Sequence, residues 1–238
     1  MSTTHPMTSR VPIGVPQLDQ AMEGGLPGHR LVLVTGNAGA GKTTLAMQFL
    51  AEGFRRGEGG IFIALDQKPA HVAEAAARFG WPLTADNDSP ILLLDGSPAL
   101  SLMRQRQRAV DARAVMSDLI PHIRARAAKR LVIDSLTALV PPELTESEEE
   151  EFFRDLVFAL EDNIGCTTLA VTGDQDPRAA RISAVAARLA SGVLDVRTRE
   201  KKGRLSRHVM VRKMRATETG EVEQAFVIGN AGVVIRQP

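Results

Sequence analysis

Gly36-Asn37-Ala38-Gly39-Ala40-Gly41-Lys42-Thr43 places glycines, a lysine and a threonine at the spacing GxxxxGK[ST]. Glycines let successive backbone N–H groups curl around an anion. A lysine at the end of the turn reaches the β and γ oxygens of a polyphosphate, and the following hydroxyl ligates magnesium. Asn37, Ala38, Gly39, Ala40, Gly41, Lys42, Thr43 and Thr44 are therefore candidate phosphate contacts, with Thr43 also a metal ligand. A second group is Leu131-Val132-Ile133-Asp134-Ser135, an apolar run that ends in a carboxylate. At the carboxyl edge of a sheet, Asp134 would hold the magnesium water shell beside the phosphate loop. The third is Asp66-Gln67, just after the apolar run Ile61–Leu65. A carboxylate there could orient or deprotonate an attacking water. An ordinary polar strand end explains the same two residues, and the sequence leaves both explanations open.

Such groups need a rigid sheet edge to hold them, and the surrounding pattern supplies one. Leu31–Thr35, Ile61–Leu65, Ile91–Leu94, Leu131–Asp134 and Cys166–Thr172 are apolar, β-rich runs that predict buried strands. Between them, Thr43–Arg56, Pro69–Phe79, Val110–Lys129 and Glu146–Asn163 carry helical spacing, with Pro121 marking a break or a second start. The phosphate loop thus lies between a strand and a helix. The acidic first turn of Glu146–Asn163 suits the helix dipole, and Phe152, Leu156, Val157 and Leu160 form its inner face. Alternating strands and helices predict a mostly parallel sheet covered on both sides. From Val193 onward, Val193–Arg199, His208–Lys213, Gln224–Ile228 and Val233–Arg236 predict an antiparallel extension of that sheet.

Composition narrows the class further. Of 238 residues, 44% are hydrophobic and 24% charged, which excludes disorder over most of the length. Twenty-nine basic against 28 acidic residues give a net charge of +1, so no global field draws the chain to nucleic acid or membrane. Aromatics are 4% with no tyrosine, too few to advertise a base-stacking platform. The single cysteine, Cys166, has apolar neighbours and reads as a buried thiol. No apolar run is long enough to span a bilayer, and the first ten residues lack the core of a signal peptide. The expectation is a cytoplasmic protein with no membrane association, in which a polar arm (1–10) precedes one domain (11–238).

Several further pieces make the chain resemble a single KaiC-type domain of the RecA-like ATPase superfamily. They are Ile13-Gly14-Val15-Pro16-Gln17-Leu18-Asp19 with Gly24-Gly25-Leu26-Pro27, the phosphate loop running into Thr44-Leu45-Ala46-Met47-Gln48-Phe49, Phe79-Gly80-Trp81, Asp134-Ser135-Leu136-Thr137, and Lys213-Met214-Arg215. The resemblance spans residues 10 to 219. It implies a RecA-like phosphate-loop NTPase fold, ATP with magnesium, and a homo-oligomer, usually a six-membered ring with ATP at subunit interfaces. It also implies that Lys213, Arg215 and Thr217 serve a neighbour's nucleotide, with Arg78 and Met214 among the nucleotide contacts. Spacing of two would let Lys213 and Arg215 leave one face of a late strand.

This chain also departs from the family. Asp66 and Gln67 stand where two adjacent glutamates are usual, so one carboxylate remains and the amide cannot act as a base. Where the clock member of the family phosphorylates its own Ser-Thr pair, this chain has Ala187 and Arg188. Ser183 and Ser191 are the nearby hydroxyls. That member also carries two such domains in tandem.

A late basic cluster (Arg197, Arg199, Lys201, Lys202, Arg204, Arg207, Arg212, Lys213 and Arg215 against Glu200) reads as a solvated hairpin with interface residues in preference to a nucleic-acid track. Arg104, Arg106 and Arg108 read as an exposed helix entry. The favoured function is a slowly hydrolysing oligomeric ATPase that switches an unknown protein partner. The alternative is a RecA-like DNA-binding recombination or repair accessory. Its loop after the Thr172 strand would offer Arg178, Arg181 and Arg188, but Glu143, Glu146 and Glu148–Glu151 in the other loop would repel phosphates.

Overall fold

Runs of Val, Leu and Ile without polar interruption must be buried on both faces, which a parallel sheet between helical layers achieves. The computed structural model describes residues 9–97, 120–201, 203–220 and 223–236. Strands β1 (Arg10–Val11) and β2 (Leu26–Pro27) form a small ribbon around helix α1 (Pro16–Ala21). The main sheet begins with β3 (Leu31–Thr35), followed by α2 (Lys42–Arg55), β4 (Gly59–Ala64), α3 (Pro69–Ala77), β5 (Leu83–Thr84) and β6 (Ile91–Asp95). Then come β7 (Ala128–Asp134), α4 (Glu146–Asn163), β8 (Thr167–Val171) and α5 (Pro177–Leu189). The chain closes with β9 (Gly192–Lys201), β10 (Arg204–Met214), β11 (Gln224–Gly229) and β12 (Gly232–Ile235).

The ten strands run in the order β12-β11-β10-β9-β3-β8-β7-β4-β6-β5. All pairs from β9 to β5 are parallel, and the β9–β12 meander is antiparallel. The expected antiparallel extension is therefore present, except that β9 itself lies parallel to β3. Strand alternation divides the core in two. Leu169 and Val171 join α2 and α3 on one side, while Ala170 faces α4 and α5 on the other.

Helix α4 has the predicted bounds, and all four predicted inner residues are buried. Its start is fixed by more than dipole complementarity: Thr145 and Glu148 form a reciprocal capping box. Two expectations are corrected. Lys129 belongs to β7, because the strand starts at Ala128 and not at Leu131. The segment carrying Arg178, Arg181 and Arg188 is helix α5, capped by Asp176 with Pro177 in its first turn, and not a loop. Of Val110–Lys129, residues 120–125 are helical and 110–119 lie outside the described residues, as do Arg104, Arg106 and Arg108. Cys166 is buried, and burial pushes its thiol up to about 11, as suits an inert core residue. Among the described residues no helix is long and apolar enough to cross a membrane.

Candidate functional site

The turn between β3 and α2 works only with glycine at its two ends. A Cβ at Gly36 would sit 1.7 Å from the Val196 carbonyl oxygen, and Gly41 begins α2 at φ 106°. The loop is fastened to β9: Thr198 donates its N–H to Asn37 Oδ1 at 2.9 Å, and Asn37 Nδ2 donates to Thr198 Oγ1. Lys42 Nζ donates to the carbonyls of Gly36 (2.7 Å) and Asn37 (2.9 Å). Burial lowers the proton affinity of this amine, while Asp134 and Asp174 raise it. Gly39, Ala40, Gly41, Lys42, Thr43 and Thr44 line a cavity of about 270 Å³.

Asp134 ends β7, one strand away from β3 across β8. Thr43 Oγ1 donates to Asp134 Oδ2 at 2.7 Å, so the two predicted metal ligands meet. Burial pushes the Asp134 carboxyl up to about 6, opposed by the Thr43 hydrogen bond and reinforced by the negative charge of Asp66. A hydroxyl and a buried carboxylate with this raised proton affinity fit a hard divalent cation such as magnesium. Asp66 reaches the same edge because β4 ends beside β7, with Leu65 N–H donating to the Asp134 carbonyl at 2.7 Å. Ser135 Oγ donates to Asp66 Oδ2 and shares a 2.6 Å contact with Thr137 Oγ1. The Gln67 side chain is near enough to oppose, weakly, the rise in Asp134 proton affinity.

Without divalent cation, folded Asp134 binds its proton more tightly than the unfolded chain does. Its contribution to stability is then present below about pH 4 and lost as pH rises to about 6, by about 3 kcal/mol. Asp134→Asn should therefore be more stable than the parent at pH 7.5 in chelator. The difference should vanish near pH 4 when both are unfolded in urea, and a pH-independent difference would refute the buried carboxyl.

The remaining predicted contacts lie at the other end of the sheet. Thr35 is level with Asp195, whereas Val32 is level with Gly192, which pairs with Met214. Met214 is thus roughly 10 Å back along the strands and roughly 10 Å across from the start of the phosphate loop. Its side chain is buried against Gly192. Arg78 caps α3 after a run back from the carboxyl edge. The shared strand face of Lys213 and Arg215 is corrected: β10 ends at Met214, and Arg215 stands in the turn beyond it, before Ala216 at φ 53°. Lys213 Nζ donates to the Ala187 and Arg188 carbonyls, both at 3.0 Å, and so caps the end of α5. Thr217 Oγ1 accepts from Arg10 Nη1 at 2.6 Å. Ser183 and Ser191 are both buried and hydrogen-bonded, to the Gly173 carbonyl and to Glu161.

Sequence reasoning missed Ile228, which lines the cavity at the phosphate loop from β11, and Arg207, whose Nε approaches the Gly39 carbonyl at 3.4 Å from β10. No local pattern marks either residue. Both reach the loop because the meander curls back over the start of α2.

A phosphate loop on one strand, with a carboxylate at the tip of the next strand but one in a mostly parallel sheet, defines a phosphate-loop NTPase of the RecA-like class. The chain belongs to the KaiC ATPase family, whose model, described as "ATPase: KaiC", matches residues 11–238. It is similar to a UPF0273 protein of Thermotoga maritima, 28% identical over 96% of each chain. A second UPF0273 protein, from Pyrobaculum aerophilum, is 30% identical over 95% of this chain and 82% of its own. Among solved structures, the KaiC-like protein PH0186 of Pyrococcus horikoshii OT3 superposes with a TM-score of 0.78 at 29% identity. That match covers 97% of this chain and all of the other.

Proposed function

We propose that this protein binds ATP with magnesium between adjacent copies of a homo-oligomer, in the likeness of a six-membered ring. It hydrolyses the nucleotide slowly and so switches a protein partner. The observation that carries the reading is the convergence of Lys42, Thr43, Asp134 and Asp66 at one sheet edge. Lys42 exchanges its two loop carbonyls for β and γ oxygens, and the amides of residues 38–44 surround the phosphates. Thr43 and Asp134 would hold magnesium, which supplies charge neutralisation at those oxygens. Asp66, held through one oxygen by Ser135, keeps the other to orient water and accept its proton. Gln67 can only donate or accept a hydrogen bond, which supports a slow rate. Lys213, Arg215 and Thr217 are assigned to the neighbour's nucleotide, with Arg78 and the main chain of Met214 as further nucleotide contacts.

The decisive experiment is phosphate release alongside ATP binding, with light scattering to follow assembly. Asp66→Asn should bind ATP normally and lose roughly 100-fold or more in turnover, the contribution of a general base. Gln67→Glu should hydrolyse faster than the parent. Parental turnover in Asp66→Asn would place the base elsewhere.

The arrangement of α4 and α5 counts against the DNA alternative. Arg181 pairs with Glu146 and Glu149, Arg178 lies 3.7 Å from Glu149, and Arg188 meets Glu150 at 3.0 Å. The arginines that would track phosphates are committed to the same glutamates that would repel them. In the late basic cluster, Arg197, Arg199 and Arg212 are likewise matched, to Asp174 and Asp195, to Glu223 and to Asp195.

A further inference from the structure

A second cavity, of about 330 Å³, opens beside the phosphate loop on the α5 side of the sheet. Thr35, Gly36, Gly173, Asp174, Arg197 and Arg212 are among its walls. Arg197 projects from β9 between two carboxylates: Nε donates to Asp195 Oδ1 at 2.8 Å, and Nη1 pairs with Asp174 Oδ2. These two acids are not equivalent. Asp195 is 4% exposed and also accepts from Arg212 Nε at 2.7 Å and Thr35 Oγ1 at 3.3 Å, so it is fixed. Asp174 is 28% exposed, lies on the loop after β8, and has Arg197 as its ion-pair partner among the described residues. The guanidinium itself is 38% exposed and can turn about its anchored Nε without losing Asp195.

Its place relative to the phosphate loop is tightly determined. Thr198, the next residue, shares two hydrogen bonds with Asn37, and Gly36 lies against the Val196 carbonyl. Lys42 Nζ is bonded to the Gly36 carbonyl, and both Asp174 and Arg197 act electrostatically on Lys42. The cavity wall carries Arg197 and Arg212 against Asp174. Counting the nearby Lys42, and Asp195 that pairs with both arginines, one positive charge remains on this side of Gly36.

We infer that Arg197 is a ligand for the terminal phosphate of a nucleoside triphosphate bound at its own phosphate loop, and that Asp174 occupies it until that phosphate arrives. The inference rests on the nucleotide reading of the site and adds to it a choice between triphosphate and diphosphate. A γ-phosphate carries acceptor oxygens that compete with Asp174 for the Nη edge of the guanidinium. A diphosphate ends short of that edge and leaves the Asp174–Arg197 pair closed. Exchange of one anion for another at a fixed cation needs no change in Asp195 or in the sheet.

Affinities for a non-hydrolysable ATP analogue and for ADP, both with magnesium, test this in the parent, Arg197→Gln and Asp174→Asn. Arg197→Gln should weaken the triphosphate analogue roughly tenfold or more while ADP changes by less than about twofold. Asp174→Asn should tighten the triphosphate and leave ADP unchanged, an effect that simple damage to the loop would not produce. Arg197→Lys should recover part of the preference because it keeps the charge and loses the fork. Equal changes for both nucleotides, or none, would overturn the assignment of Arg197. A parent that binds neither nucleotide would overturn the nucleotide reading itself.

Discussion

Arg215→Ala should still bind ATP but turn it over about a thousandfold more slowly, as removal of an arginine finger does. Arg215 follows Met214, which pairs with Gly192 at the level of Val32, whereas the phosphate loop leaves the sheet after Thr35. An arginine side chain does not cover that separation within one copy, so a direct contact of Arg215 with nucleotide would come from a neighbouring copy. Head-to-tail contacts of this kind place a different surface of each copy on its neighbour and close into rings when the rotation permits. Mixing supplies the check. Lys42→Ala subunits lack a working loop but keep Arg215, and Arg215→Ala subunits have the reverse. Joint assemblies should regain part of the activity, because an intact loop then meets an intact arginine at some interfaces. No recovery in assemblies shown to exchange subunits would assign Arg215 to its own copy or to no role.

Arg130→Ala should cost about 3–5 kcal/mol of stability, the range for breaking a buried ion pair by removing one partner. Arg130 has no exposed surface, although it carries a charge. Its Nε meets Glu58 at 2.6 Å, and Nη1 donates to the Pro12 and Phe49 carbonyls at 2.6 and 2.8 Å. The guanidinium carbon lies 4.7 Å from the centre of the Phe49 ring. Truncation leaves two carbonyls and a carboxylate without their donor and opens a void against α2. Glu58 is 33% exposed and can regain water, which places the loss toward the lower end. Urea unfolding measures it, and a loss below about 1 kcal/mol would contradict this account. The same side chain explains a glycine inside a helix: a Cβ at Gly53 would sit 2.5 Å from Arg130 Cδ.

Features with a local cause were legible in the sequence. The phosphate loop needs glycines at set places, the buried strands need apolar runs, and Asp134 closes one of those runs. Helix α5 was missed even though Ile182, Val185 and Ala186 mark its buried face at helical spacing, beside the smaller Ala179 and Ser183. The pair Asp176-Pro177 was the signal that could have found it. Lys213 was legible as a cation but not as the cap of α5, since its two carbonyl partners lie 26 and 25 residues earlier. Arg130, Arg197 and Ile228 likewise take their roles from strand order, which brings together segments that no window of sequence contains.

The sheet's two outer strands carry one more consequence. At one side stands β5, with two residues, and at the other β12, with four. So short a margin offers almost no row of free amides and carbonyls on which another chain could lay a strand. Among the described residues, growth by main-chain pairing is disfavoured on both sides. A homo-oligomer of the kind proposed would therefore form through side chains at the ends of the strands and on the helical layers, where a bound nucleotide would alter the fit.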